Sequence, residues 1–394
     1  MAFVGTMRAV AIVSTVWLHA SNAFAFPCPI ASYGSRKTTT SLSSSQREDI
    51  FSAVHRKEYE MIKVKQQHKS TTDPVQMAMG YAEQSISKLR VAKALRRVYD
   101  DEENPANPNA REKTPEEVER QDKMQEIGMQ QIGMRRGSFI VDIKRKSLSR
   151  PGHQYCNFDD AGMVADAMVR LGADAVFINV DYAGYGGDMT ELKSAVRAVR
   201  KVNDNAAVIM KDIVVDEIQL GLAKEAGADG IILMASVLGP ALANFLNLAT
   251  IIGLEAIVEC HTRNEVERAI ELVAQNIMVT NYDRVTGQYY PNQAVQLAGL
   301  FPGSGGPIIS LAGGGIETTE DMKKHLAVGY DGVVIGRTVM GSTRAPEFIR
   351  AVRDRTMLPA ELSQWGIDVE FDPDGNVMPG PKSVMDEESP NAYQ

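Results

Sequence analysis

Three apolar runs in the chain end on charged residues that a buried strand does not readily tolerate: Phe139-Ile140-Val141-Asp142-Ile143-Lys144, Ala207-Val208-Ile209-Met210-Lys211-Asp212 and Ala256-Ile257-Val258-Glu259. Lysine is rarely buried, so Lys144 and Lys211 at strand ends suit anion binding, general-acid work or Schiff-base formation. One such lysine is as readily a side chain snorkelling at a rim; two of them with a glutamate favour function. Glu259 either neutralises one of the lysines or works with it, and such pairing itself shifts both pKa values in a way that suits proton transfer. Arg145 and Lys146 add positive charge beyond the first run, and Ser147 and Ser149 add hydroxyls. Two later runs end on glycine instead, at Gly313-Gly314-Gly315 and at Gly336. Bare backbone N–H groups ahead of Glu317-Thr318-Thr319-Glu320 offer an anion site by geometry and dipole, and Gly336-Arg337-Thr338 can repeat it. A glycine triplet alone also marks a turn. His261 has no second histidine at ligand spacing, so no metal is expected.

These residues act together only if their strands lie side by side. From Gly137 onward strands and helices alternate, with candidate strands at 138–143, 174–180, 206–210, 229–234, 255–259, 276–280, 307–312 and 332–336. Amphipathic stretches lie between them: Asp159–Leu171, Met189–Val202, Asp216–Ala226, Leu238–Ile252, Arg263–Ala274 and Thr319–Val328. Gly-Ala-Asp recurs at 172–174 and 227–229, each time stopping a helix and feeding a strand. The fold class expected is α/β, a (β/α)8 TIM barrel with an N-terminal helical extension. Such a barrel places its chemistry at the C-terminal ends of the strands and commonly binds phosphate after the seventh and eighth. A doubly wound sheet ranks second, because no GxGxxG follows the first strand. Helical patterns at Asp49–Lys69 and about Pro74–Tyr99 read as additions before the barrel, and 100–117 is polar and proline-broken, an exposed loop.

The chain has 394 residues, 44% hydrophobic and 23% charged, with a formal net charge of −8. Residues 1–47 hold no acid and four cations (Arg8, Arg36, Lys37, Arg47), so the remainder carries about −12. That balance argues against nucleic acid as a partner, and small phosphorylated substrates would need locally placed cations. Residues 1–25 read as a signal peptide ending in Ala23-Phe24-Ala25, and 26–47 as a transit-peptide-like segment. The pair resembles the bipartite presequence of complex plastids, which places the mature chain in the stroma; simple secretion is the alternative. A membrane anchor would need about 20 apolar residues and is not expected in the mature form. Three cysteines, Cys28, Cys156 and Cys260, show no paired spacing. The barrel with its extension is assigned to 48–358 and an acidic flexible tail to 359–394. The oligomeric state is not legible.

Ile140 to Ser149, as Ile-Val-Asp-Ile-Lys-Arg-Lys-Ser-Leu-Ser, resembles the first-strand signature of the indole-3-glycerol phosphate synthase family. The resemblance continues through Lys211 to Gln219, Gly253 to Glu259 and Gly332 to Gly336, and spans roughly residues 46–356. It implies a cofactor-free reaction in tryptophan biosynthesis, in which 1-(2-carboxyphenylamino)-1-deoxyribulose 5-phosphate becomes indole-3-glycerol phosphate with loss of CO2 and water. The family's general acid falls on Lys211, its general base on Glu259 and its substrate-holding lysine on Lys144. Its phosphate contacts fall on Ser147, Gly315 and Gly336; Lys146, Gly314, Arg337 and the sixth-strand Asn281 join them as candidates for substrate binding.

Four departures stand out. Asp142 replaces the family's first-strand glutamate, and Leu148 replaces the proline after Ser147. The sixth-strand Asn-Asn-Arg type of motif reads Thr280-Asn281-Tyr282, and the seventh-strand Glu-Ser-Gly reads Gly313-Gly314-Gly315. Arg284 is a candidate substitute for the missing arginine. Each lost polar contact costs about 1–3 kcal/mol. Two other readings follow: an impaired barrel that only binds a phosphorylated ligand or a protein, and a phosphosugar enzyme using Lys211 as a Schiff base.

Overall fold

Eight parallel strands close into a barrel in sequence order: β1 Ser138–Ile143, β2 Ala175–Asn179, β3 Ala207–Lys211, β4 Gly230–Met234, β5 Glu255–Cys260, β6 Asn276–Thr280, β7 Ile309–Gly313 and β8 Gly332–Ile335. β8 returns to pair with β1 through Ser138↔Gly332 and Val141↔Ile335. The computed structural model describes residues 49–69, 73–82, 89–96, 137–148, 154, 156–302 and 306–340. The two presequence segments, the 100–117 loop, Ser149 and the acidic tail lie outside them. Among the described residues no helix is long and apolar enough to cross a membrane.

Alternation along each strand sorts the side chains into two cores. Ile140, Phe177, Ile209, Ile232, Ile257, Met278, Leu311 and Val334 fill the barrel interior. Their neighbours, such as Val141, Ile178, Val208, Val258 and Val279, face the surrounding helices. The same period continues the interior column upward onto Asp142, Asn179, Lys211, Glu259 and Thr280 at the strands' C-terminal ends. Every strand is buried on both faces, which explains why the strands read as continuous apolar runs.

The helix expected over Pro74–Tyr99 is described as two pieces, Pro74–Ala82 and Arg90–Leu95. The second is no surface addition. Val91, Ala94 and Leu95 pack into the interior core, and the Glu255 carboxylate at the start of β5 accepts from the N–H groups of Val91 (2.7 Å) and Ala92 (2.9 Å). This short helix plugs the N-terminal end of the barrel. The stretch Leu238–Ile252 also divides, into helices Ala235–Leu238 and Leu242–Ile251 joined by a 3-10 turn, Gly239–Ala241. Pro240 lacks the N–H that a continuous helix would use.

At the opposite end lies the helix Ile50–His68. Its buried Lys57 reaches Asp181 (2.8 Å) and Asp212 (2.9 Å), and Arg56 holds both oxygens of Asp181 at 2.8 and 2.9 Å. Asp181 lies just beyond β2, and Asp212 directly follows Lys211. The extension is therefore fastened to the rim that carries the candidate chemistry.

Candidate active site

Asp142, Lys211 and Glu259 reach the rim from β1, β3 and β5 because each continues an inward-facing column. Lys211 Nζ lies 3.5 Å from Asp142 Oδ2 and 3.6 Å from Glu259 Oε2. Lys144, the residue directly after β1, pairs with the same Asp142 oxygen. Asn179 at the end of β2 donates to Asp142 Oδ1 (2.7 Å) and to the Ile143 carbonyl (2.9 Å), locking the carboxylate's orientation. Sequence reasoning missed Asn179, though its position two residues beyond Phe177 puts it on the inward face.

Burial opposes ionisation of Asp142, but the ammonium groups of Lys144 and Lys211 outweigh it and hold this carboxyl far below the usual range. Burial likewise pulls the Lys144 ammonium below the ordinary lysine value, further than Asp142 restores it. Burial would raise Glu259 too; Arg284 and Lys211 reverse that and leave it depressed. The site thus holds two carboxylates kept ionised by neighbouring cations beside a lysine whose own charge burial opposes.

One cleft of about 640 Å³, part of it open to solvent, connects these groups to the glycine loops. Asp142, Lys144, Ser147, Lys211, Arg284, Gly314, Gly315, Gly336, Arg337 and Thr338 all line it. Its glycine-lined end is built by exclusion. Gly336 approaches Asp142 so closely that a β-carbon would sit 3.2 Å from Oδ2, and Gly314 and Gly315 hold φ of +86° and +74°, where glycine alone is relaxed. Ahead of the helix Thr319–Ala327, Asp321 accepts from the N–H groups of Glu317 (3.1 Å) and Thr318 (2.9 Å) in a capping box, which spends these two within the turn. The glycine backbone, Ser147 and Arg337 line the cleft at this end. The Arg337 guanidinium is bonded to the Tyr282 hydroxyl, and Tyr282 packs against Tyr289 with ring centroids 4.8 Å apart.

Glu259 does not itself line the cleft, which Arg284 does in front of it, and two substrate-binding candidates stand elsewhere. Asn281 is buried, and its amide group is spent on the Gly314 carbonyl (3.0 Å) and the Ala294 N–H (2.8 Å), so it shapes the seventh-strand loop from behind. Lys146 points away, with Nζ 5.5 Å from the Tyr182 ring centroid. Arg145 is likewise engaged, paired with Glu191. Arg284, by contrast, enters the cleft and binds Glu259 through Nε. His261 turns to the Thr280 carbonyl, 2.8 Å from its Nδ1. Among the described residues no cluster of three metal-ligating side chains occurs.

Comparison with known proteins follows the same outline. The family model described as indole-3-glycerol phosphate synthase matches residues 91–352. The chain is similar to the protein of that name from Thermoanaerobacter pseudethanolicus, 33% identical over 203 residues that make up 52% of this chain and 74% of the relative. It is 32% identical over 206 residues to that of Chloroherpeton thalassium, covering 52% and 75%, and 30% identical over 215 residues to that of Micrococcus luteus, covering 54% and 76%.

Proposed function

The chain belongs to the indole-3-glycerol phosphate synthase family, and from that premise we propose that the rim described above closes the indole ring of a carboxyphenylamino-deoxyribulose phosphate. The protein is a carboxy-lyase of tryptophan biosynthesis that acts on a phosphorylated substrate. The aryl carbon bearing the carboxylate bonds to the ketone carbon while the ketone oxygen takes a proton. CO2 then leaves and restores the aromatic ring. The resulting hydroxyl departs as water after a second protonation, and a base removes a proton from the new five-membered ring.

Lys211 is the proton donor, since its ammonium projects into the cleft while Asp142 and Glu259 hold it in place. Glu259 is the base. Lys144 receives the substrate carboxylate, and Ser147, Gly314, Gly315, Gly336 and Arg337 hold the phosphate at the other end. The observation that carries this reading is Lys211, flanked by two carboxylates, sharing one cleft with a glycine-built anion cradle. Acid–base groups of this kind contribute about 10²–10⁴-fold each. Turnover of the carboxyphenylamino substrate, followed by indole fluorescence, should therefore fall by that factor in Lys211→Met and in Glu259→Gln. A folded protein without turnover would remove the assignment.

The location of the mature chain in a plastid is proposed on the acid-free first 47 residues. A fluorescent protein carrying residues 1–47 should accumulate in the stroma; its appearance in the medium would favour secretion instead.

A further inference from the structure

A base must touch the proton it removes, yet Glu259 does not line the cleft. Arg284 does. The guanidinium binds Glu259 Oε1 through Nε, and the exposures of the two side chains are 16% for Arg284 and 1% for Glu259. Arg284 is a cover lying over the carboxylate. The other charged group against Glu259 is Lys211, at 3.6 Å, which also faces Asp142. Glu259 Oε2 is buried and has no hydrogen-bond partner among the described residues. The carboxylate is thus complete on its Arg284 side and unfinished on the other.

We propose that Arg284 is a latch on Glu259 and that the carboxylate of the substrate opens it. This rests on the function proposed above. Pulling a guanidinium off a buried carboxylate is costly when nothing replaces the partner, because it leaves two unpaired charges. A second carboxylate entering the cleft removes the arginine's share of that cost, since its planar fork pairs either anion with the same geometry, and Lys211 at 3.6 Å stays beside Glu259. Lys144 alone is a poor receiver for the substrate carboxylate, because Asp142 already holds its ammonium. The substrate group destined to leave as CO2 therefore also draws Arg284 away and exposes the base. A ligand without that carboxylate leaves Glu259 covered. Arg284 lies on the loop after β6, four residues beyond the end of the strand, so it can swing without disturbing the barrel.

Competition of this kind has a thermodynamic signature. Two unreactive ligands serve as probes: the alcohol made by reducing the substrate's ketone, and the same compound without its ring carboxylate. Calorimetry on the full chain should show Glu259→Gln binding the carboxylated probe about tenfold more tightly, because Arg284 no longer has a rival anion. Arg284→Gln should bind it about tenfold more weakly. Adding Glu259→Gln to Arg284→Gln should then change nothing, and the probe without carboxylate should be indifferent to all three changes. Arg284→Lys, which keeps the charge but not the fork, provides a milder form of the same comparison if Arg284→Gln fails to fold. Tightening that is absent, that persists without Arg284, or that extends to the second probe overturns the latch and leaves the ring-closure assignment standing. Failure of wild-type protein to bind either probe overturns both.

Discussion

Tyr282 stands against Gly314 so closely that a β-carbon on the glycine would lie 3.1 Å from the tyrosine Cδ2 and 2.9 Å from Thr280 Oγ1. Tyr282 departs from the family's sixth-strand motif and Gly314 from its seventh, so the two departures form one packing solution. The ring takes space that a seventh-strand side chain would need. Restoring serine by Gly314→Ser should lower kcat/KM at least tenfold and cost about 1–3 kcal/mol of stability, from contact and from the positive φ. Adding Tyr282→Asn should recover the steric part alone. Steady-state kinetics read the single variant and urea unfolding reads the coupling, since Tyr282→Asn also removes the hydroxyl bonded to Arg337; a double variant no more stable than Gly314→Ser would refute the coupling.

The same tyrosine orients a cation. Its hydroxyl is bonded to the Arg337 guanidinium, which also lies 5.7 Å from the ring centroid. Tyr282→Phe keeps the ring and removes the bond. A hydrogen bond to a charged group is worth about 1.5–3 kcal/mol, part of which water replaces at this partly exposed site. KM should rise roughly three- to tenfold with kcat little changed, and inorganic phosphate should inhibit more weakly in proportion. An unchanged phosphate inhibition constant would detach Arg337 from phosphate binding.

Lys57 fastens the N-terminal helix to the rim. Burial would lower its pKa, but the carboxylates of Asp212 and Asp181 raise it well above the ordinary lysine value. Lys57→Met leaves those two acids close together without their shared cation, and breaking a buried pair in this way costs about 3–5 kcal/mol. The urea midpoint should fall accordingly. Asp212→Asn in the same chain should restore part of it, because Asp212 is held above the usual carboxylate range by burial even with Lys57 present.

Acid should weaken the site through Asp142. Its folded pKa lies far below its unfolded value of about 3.9, so the unfolded chain binds the proton first as pH falls. The stabilisation is complete above about pH 4 and is lost progressively below it. Asp142→Asn should therefore be less stable than wild type at pH 6, and the difference should narrow as pH drops from about 4 toward 3. Urea titrations across that range decide it; a difference that stays constant with pH would mean that Asp142 acts without its charge.

Local spacing carried much of this protein. Alternation placed Asp142, Lys211 and Glu259 on inward columns, and the strand runs fell within two residues of the observed bounds, because a residue's face on a strand depends only on its neighbours in sequence. What lay on loops did not follow from spacing. Asn281 was expected to meet the substrate, yet it supports Gly314 and Ala294 from behind. Lys146 follows a chain path that turns it away from the cleft. Arg90–Leu95 read as an outlying helix and instead closes the barrel's base. Strand patterning was enough to specify eight strands and the charged residues that crown them. Which acid faces which base was settled in three dimensions, for instance that Asp142 is shared by Lys144 and Lys211 while Arg284 covers Glu259. Those pairings join residues dozens of positions apart, and they depend on strand tilt and loop path, which no local periodicity records.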